Sequence, residues 1–170
     1  MYTYKKVNNK EITDEIFKQV MVLENSTGSG YHEEQMKSMW NVNSINDNFV
    51  CYDKDKIVAT LTYNPNSKRR NGSVYMVNIT VMPEYRRKGI AQNLILTGTK
   101  YYLNKGETKV ASLQVDEDNT PAIHLYQKVG YKIVGPICLA DEDDEQYIME
   151  STFENILNTI NSFNKGLENN

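Results

Sequence analysis

The feature that most limits the possible folds is the segment VNITVMPEYRRKGIAQNLI at residues 77 to 95, where a strand-like run passes through a proline and three cations into a helix-like run. Pro83 has no N–H to donate to a sheet, so the strand must end before it. Gly89 allows backbone conformations that other residues avoid, and the apolar spacing after it is helical. The segment therefore predicts a strand, a turn and a helix N-terminus.

Such a turn is a candidate site for an anion. The first N–H groups of a helix have no partner within the helix, and together with the helix dipole they attract phosphate. Arg86, Arg87 and Lys88 add positive charge, while Gly89 and Ala91 keep the turn small. The spacing is not the GxxxxGK[ST] of a P-loop, and no Ser or Thr is placed to hold magnesium. A plain strand-turn-helix is the alternative when this pattern is taken alone.

The rest of the chain predicts a mixed α/β fold, with a sheet that carries helices on both faces. Apolar spacing, turns and glycines predict the element order α, α, β, β, β, α, β, α, β, β, α. No repeat or Pro/Gly-rich linker interrupts it, so a single domain over residues 1–170 is expected. The predicted helices include residues 89–103 and 120–129 and an amphipathic terminal helix at 152–166, and the predicted strands include two within 48–64 and those at 73–81 and 109–115.

Composition excludes several classes of protein. The 19 Lys and Arg residues nearly balance 22 Asp and Glu residues, for a net charge of -3, which gives no basic field for nucleic acid. Two cysteines outside any CxxC pair and two histidines argue against a metal site. The N-terminus lacks the apolar core of a signal peptide, and no apolar run reaches the roughly 20 residues that span a bilayer. A soluble, cytoplasmic protein without membrane or nucleic-acid partners is expected.

A second motif makes a family resemblance specific. The stretch DNTPAIHLYQKVGY at 118 to 131 contains N-x-x-A-x-x-L-Y-x-x-x-G-Y, and it follows V-x-P-x-x-R at 81 to 86 and R-x-x-G-x-A at 86 to 91. Together these motifs resemble the GCN5-related N-acetyltransferase (GNAT) superfamily over roughly residues 74 to 135. The resemblance implies a central, mostly antiparallel sheet of about six to seven strands flanked by helices, to which the C-terminal helix is an addition.

The resemblance also implies acetyl-CoA as co-substrate and assigns residues to it. Its pyrophosphate would rest on the amides of the turn, its pantetheine arm would bond the backbone of Ile79 and Val81, and the N–H of Ile79 would polarise the thioester carbonyl. Asn119 would touch the cofactor arm, and Tyr126 would protonate the departing thiolate, a role that suits a phenol. The turn residues concerned are Arg86, Arg87, Lys88, Gly89, Ile90, Ala91 and Gln92.

The general base is where this chain departs from the family pattern. Family members carry a glutamate on the central strand, where this chain has Tyr75, or on the next strand, where it has Gln114. Water or an acceptor amine of low pKa could compensate. Glu24, Glu33 or Glu34 in the early helices could also supply a base, although a solvated helix face is the simpler interpretation of each.

The resemblance implies direct transfer of an acetyl group to a primary amine, with polyamine, aminoglycoside-like and peptide N-terminal acceptors all open. The acidic run DEDDE at 141 to 145 would attract a cationic acceptor or simply solubilise a loop. The run KRR at 68 to 70 is interpreted as solvated, with contact to an acidic partner as the alternative. A non-catalytic acyl-CoA sensor or interaction module is the alternative function, and the apolar face of the terminal helix allows a homodimer.

Overall fold

The computed structural model describes residues 1–28, 30–67, 72–107, 109–137 and 146–168. The strands are β1 (Tyr2–Val7), β2 (Asp47–Asp53), β3 (Lys56–Asn64), β4 (Val74–Val81), β5 (Val110–Asp116), β6 (Lys132–Ile137) and β7 (Gln146–Thr152). The helices are α1 (Asp14–Thr27), α2 (Glu33–Met39), α3 (Ile90–Asn104), α4 (Thr120–Lys128) and α5 (Phe153–Glu168). Short 3-10 turns lie at Asn9–Glu11 and Pro83–Tyr85. Within the described ranges, no helix is long and apolar enough to cross a membrane.

The strands form a seven-stranded sheet in the order β1-β2-β3-β4-β5-β7-β6. The pairs β1-β2, β2-β3, β5-β7 and β6-β7 are antiparallel, and β4 runs parallel to β5. A mixed, mostly antiparallel sheet is therefore confirmed. The chain divides into two compact units, residues 1–65 with 76–98 and residues 66–75 with 99–170, and the single domain expected from the sequence stays a prediction.

Strand β1 is absent from the predicted element order, which is wrong at this point. β1 pairs antiparallel with β2 along its whole length, from Tyr2 opposite Asp53 to Val7 opposite Asn48. The strand lies at the edge of the sheet and its residues are alternately exposed and half-buried before the buried Val7. Because lysines occupy positions 5 and 6, the apolar alternation that marks a half-buried strand is too weak to detect.

In the first unit, helices cover both faces of β3, as the sequence predicted. Glu24 of α1 bonds to Thr60, whereas Gly98 of α3 lies against Leu61 and Tyr63. Neighbouring residues of a strand point to opposite faces, so α1 and α3 lie on opposite sides. A Cβ at position 98 would lie 2.8 Å from the Tyr63 ring, so the glycine is required for close packing. The buried residues of this unit include Val20, Leu23, Met36, Met39, Trp40, Phe49 and Leu61.

In the second unit, α5 buries its apolar stripe within the chain. Phe153 stacks on Tyr102 with ring centroids 4.9 Å apart, and Ile156 and Ile160 are fully buried. The side-chain amide of Asn155 donates to the carbonyl of Gly130 at 2.8 Å. The amphipathic C-terminal helix is thus confirmed, and it packs directly behind the turn that ends α4.

Cys51 of β2 is fully buried and lies directly opposite Tyr4 of β1. Burial raises the pKa of the Cys51 thiol from 9.0 to about 11, although the hydrogen bond with Tyr4 lowers it in part. Burial and the neighbouring Cys51 together raise the pKa of the Tyr4 phenol to about 12. Both groups are therefore held in their neutral forms by the fold.

We expect the free energy of unfolding to decrease as the pH rises from 9 to 11. The folded-state pKa of Cys51 lies above its ordinary value, so the neutral thiol stabilises the fold fully below pH 9 and this contribution is lost as the pH passes through the folded-state pKa. One pKa unit corresponds to about 1.4 kcal/mol, so the loss due to Cys51 should be on the order of 2 kcal/mol. Urea unfolding at several pH values, compared with Cys51→Ala, measures it. Equal pH dependence in both proteins would contradict the expectation.

Candidate active site

The turn between β4 and α3 joins a strand end to a helix N-terminus, as the sequence predicted. The strand ends at Val81, a 3-10 turn covers Pro83–Tyr85, and α3 begins at Ile90. Two residues of this turn are left-handed, Arg87 with φ 62° and Gly89 with φ 75°. Left-handed residues within a turn can direct successive backbone N–H groups toward one point, which creates a concave anion site.

Gly89 is required for its backbone conformation. The nearest atom to a Cβ at this position would be the Asn93 amide nitrogen at 3.8 Å, an ordinary contact, so space does not exclude a side chain. The left-handed φ disfavours side chains, and β-branched residues are outliers there. Arg87 adopts a similar φ with a full side chain, which strains the backbone at the same turn.

The cations of the turn are exposed and partly tethered. The Nε of Arg86 donates to the Val81 carbonyl at 3.2 Å, so this side chain follows the end of β4. The ammonium of Lys88 lies 5.0 Å from the centre of the Tyr85 ring. The Tyr85 hydroxyl donates to Asp53 at 3.1 Å, and this bond raises the pKa of the phenol. Positive charge thus surrounds the start of α3 in the first unit.

Strand β4 carries the two backbone positions assigned to the pantetheine arm, Ile79 and Val81, and both residues are half-buried. The described pairing of β4 with β5 joins Val74 to Ala111 and Tyr75 to Ser112. Ile79 and Val81 lie beyond these paired positions along the strand.

Tyr75 and Gln114 stand where family members would carry the glutamate that acts as general base. In this chain the two side chains form a hydrogen bond with each other. In the second unit, the hydroxyl of Tyr75 donates to the side-chain carbonyl of Gln114 at 3.0 Å. Tyr75 is largely buried and Gln114 half-buried. The pair is neutral and its hydrogen bond is satisfied, so neither side chain is built to accept a proton from an amine.

Helix α4 holds Asn119 and Tyr126, also in the second unit. Asn119 is the N-cap, and its side-chain oxygen accepts from the Ala122 N–H at 3.3 Å. Tyr126 is 7% exposed and meets the Tyr131 ring edge to face, with centroids 6.0 Å apart. The helix keeps Tyr126 in a fixed, mostly dry position. His124 is exposed on the same helix.

The three glutamates considered as bases differ sharply in their surroundings. Glu33 and Glu34 are exposed in the first turn of α2, and Glu33 pairs with Lys37 at 2.6 Å. Glu24 is 1% exposed, so the simpler interpretation of a solvated helix face is wrong for this residue. Its carboxylate accepts from Asn78 at 3.0 Å, from Thr80 at 3.2 Å and from Thr60 at 3.4 Å.

Sequence reasoning did not single out Tyr31. Its hydroxyl donates to the Val77 carbonyl at 3.0 Å, which links the connection between α1 and α2 to β4 next to Asn78. A tyrosine after a glycine-rich stretch gives no signal of such a contact.

Two charged segments, DEDDE at 141 to 145 and KRR at 68 to 70, lie outside the described residues. No cluster of metal-ligating side chains occurs in the part of the chain that the structure describes.

Comparison with known proteins identifies the class. The model of the Acetyltransferase (GNAT) family matches residues 17–131, and the chain therefore belongs to the GNAT acetyltransferase family. An N-alpha-acetyltransferase of Saccharolobus solfataricus is 42% identical over 60 residues, which cover 35% of this chain and 36% of that protein. The first curated relatives are matched over only 18% to 36% of their own length.

Solved structures of the same fold cover nearly the whole chain. The ribosomal-protein-S18-alanine N-acetyltransferase from Escherichia coli superposes with a TM-score of 0.72 at 18% identity, over 90% of this chain and 94% of that one. Arabidopsis thaliana NAA60 in complex with acetyl-CoA gives a TM-score of 0.68 at 15% identity, over 91% and 99%. At these identities the likeness establishes the fold.

Proposed function

We propose that this chain is an acetyl-CoA-dependent N-acetyltransferase that transfers the acetyl group directly to a primary amine. The observation that carries the proposal is the turn with left-handed Arg87 and Gly89 at the start of α3, inside the segment that matches the family. Direct transfer is supported by the state of Cys51, whose thiol is buried and has a raised pKa, because a nucleophilic cysteine needs an accessible thiolate.

The residues of the turn fit a pyrophosphate. The amides from Arg87 to Gln92 would bind it at the helix N-terminus, with the positive charges of Arg86, Arg87 and Lys88 around it. The N–H of Ile79 would donate a hydrogen bond to the thioester oxygen. In other enzymes, one such donor stabilises the transition state by about 3 to 4 kcal/mol. Because the Oδ1 of Asn119 already caps α4, its contact with the cofactor arm would come from the Nδ2 donor.

Tyr126 would protonate the sulfur of CoA as the C–S bond breaks. A phenol hydroxyl can donate a proton and is regenerated by the proton that the amine loses. The low exposure of Tyr126 and its contact with Tyr131 support a fixed donor. The same features also fit a packing role, and Tyr126→Phe separates the two.

Among primary amines, we propose the α-amino group of a peptide as the acceptor. At pH 7 a lysine-type amine costs roughly 4 to 5 kcal/mol to deprotonate, whereas an α-amine costs about 1 kcal/mol. The neutral Tyr75–Gln114 pair favours the amine that is easier to deprotonate. The similarity to an N-alpha-acetyltransferase supports the same class of acceptor.

Two finer proposals concern partners. The acidic run at 141 to 145 would attract a cationic acceptor through long-range steering, an effect that salt would weaken. A homodimer is favoured by the apolar side chains of Ile133 and Val134, which are exposed on β6 at the edge of the sheet. Exposed apolar edge strands invite pairing with another chain.

A panel of amines tests the function. Turnover of acetyl-CoA should be highest with short peptides that have a free N-terminus, and lower with polyamines and aminoglycosides. The alternative, a non-catalytic acyl-CoA sensor, is favoured by the absence of a glutamate at Tyr75 and Gln114. Binding of acetyl-CoA without turnover on any amine of the panel would support the sensor, and failure to bind acetyl-CoA would contradict both functions.

A further inference from the structure

Glu24 is a buried carboxylate whose hydrogen-bond partners among the described residues are all neutral. It lies on α1, and its partners lie on two neighbouring strands, Thr60 on β3 and Asn78 and Thr80 on β4. The charged residues of α2, which packs on α1, are Glu33, Glu34 and Lys37; all three are exposed, and Glu33 pairs with Lys37. A buried carboxylate is costly unless its charge is compensated. These contacts offer Glu24 hydrogen bonds and no positive charge.

The hydrogen-bonding groups around Glu24 can accommodate one more proton. The Thr80 hydroxyl lies 3.2 Å from Oε2 of Glu24 and 3.1 Å from Oδ1 of Asn78, and both oxygens are acceptors while Glu24 is ionised. A hydroxyl has a single proton, so it can serve only one of them. With a proton on Oε2, Glu24 would donate to Thr80 and Thr80 to Asn78. Every contact would then contain one proton.

Thr80 connects this network to the proposed reaction centre. It follows Ile79 directly in β4, and the N–H of Ile79 is the proposed donor to the thioester oxygen. Asn78 and Thr80 both point toward α1 because they are two residues apart in the strand and both bond to Glu24. Thr80 is thus the hydroxyl between a buried carboxylate and the strand segment where the amine would attack.

We propose that Glu24 accepts the proton that the acceptor amine loses, with Thr80 relaying it; the proposal rests on the proposed function. A protonated amine loses two protons when it becomes an amide. One of these protons passes from the amine to the hydroxyl oxygen of Thr80. At the same time the proton already on that hydroxyl passes to Oε2 of Glu24. The amine lone pair forms the C–N bond with the acetyl carbon, the C–S bond breaks, and the second proton balances the one taken up by the departing sulfur. Glu24 then releases its proton to water.

A matched pair of isosteric substitutions tests the relay. Thr80→Val and Thr60→Val each remove one buried hydroxyl that bonds to Glu24, but only Thr80 lies on the proposed path. With acetyl-CoA and a short peptide bearing a free N-terminus, Thr80→Val and Glu24→Gln should lower the single-turnover rate by about 100-fold near neutral pH. The deficit should shrink as the pH rises, because more of the amine is already deprotonated. Thr60→Val should keep the wild-type pH profile.

A second measurement needs no turnover. The measurement follows the infrared band of a protonated carboxyl in the ligand-free protein as the pH is lowered. The band is assigned to Glu24 by its loss in Glu24→Gln. It should shift in Thr80→Val, because that variant lacks the hydroxyl that accepts a hydrogen bond from the protonated carboxyl. Equal pH profiles for the two threonine variants would overturn the relay, as would an unshifted band. If Glu24→Gln does not fold, the threonine pair decides. A wild-type chain that acetylates no amine of the panel contradicts the proposed function, and the relay with it.

Discussion

Tyr126→Phe should bind acetyl-CoA nearly as tightly as the wild-type chain and transfer the acetyl group about 100-fold more slowly. General acids typically contribute 10²- to 10⁴-fold, and we expect the lower end because a CoA thiol, with a pKa near the 8.5 of cysteine, is a fairly good leaving group. Phenylalanine keeps the ring that packs against Tyr131 and removes only the hydroxyl. Cofactor affinity and single-turnover rate, measured side by side, separate binding from chemistry.

Tyr131→Phe is the matched control for this substitution. Tyr131 is buried in the same unit, its ring touches that of Tyr126, and the chemical change is identical. We expect this variant to keep the wild-type rate of transfer whatever its effect on stability. An undiminished chemical step in Tyr126→Phe would leave Tyr126 as a packing residue.

Gly89→Val should abolish most of the stabilisation that acetyl-CoA gives the fold. At a hundred times its dissociation constant, a ligand stabilises by about 2.7 kcal/mol, or roughly 5 to 11 °C in Tm for a chain of this size. Valine at φ 75° is an outlier, so the turn must reorganise and the amides at the start of α3 lose their arrangement. Thermal unfolding with and without acetyl-CoA measures the effect.

Gly106→Val provides the control for backbone strain. Gly106 has φ 70° with no atom near its missing side chain, and it follows the other end of α3. The two variants should be destabilised to a similar degree, whereas only Gly89→Val should lose the response to acetyl-CoA. A full response in Gly89→Val would remove the turn from the cofactor site.

The sequence was most informative where local chemistry determines the backbone. Pro83 ends β4, and the glycine at position 89 is left-handed before a helix, so the strand, turn and helix could be placed from these residues. The cap at Asn119 and the helix after it follow from the same kind of local rule. Family membership rests on these segments as well, since the matched region of 17–131 contains them.

The sequence was least informative where a residue depends on distant partners. β1 is defined by its pairing with β2, more than forty positions away in the chain, and its own residues alternate too weakly to show it. Glu24 looks like a solvated helix residue in the sequence because the threonines and the asparagine that donate hydrogen bonds to it lie on β3 and β4. The bond between Tyr75 and Gln114 is likewise a tertiary contact that no spacing indicates.

The left-handed Arg87 bears on how such a turn can change during evolution. An L-residue with a side chain pays about 1 to 2 kcal/mol in this conformation, which glycine avoids. A variant with glycine at this position would be the more stable protein, yet it would carry one positive charge fewer beside the start of α3. Under the proposed function, selection for stability and selection for cofactor affinity therefore act in opposite directions at position 87, and the arginine found there favours affinity.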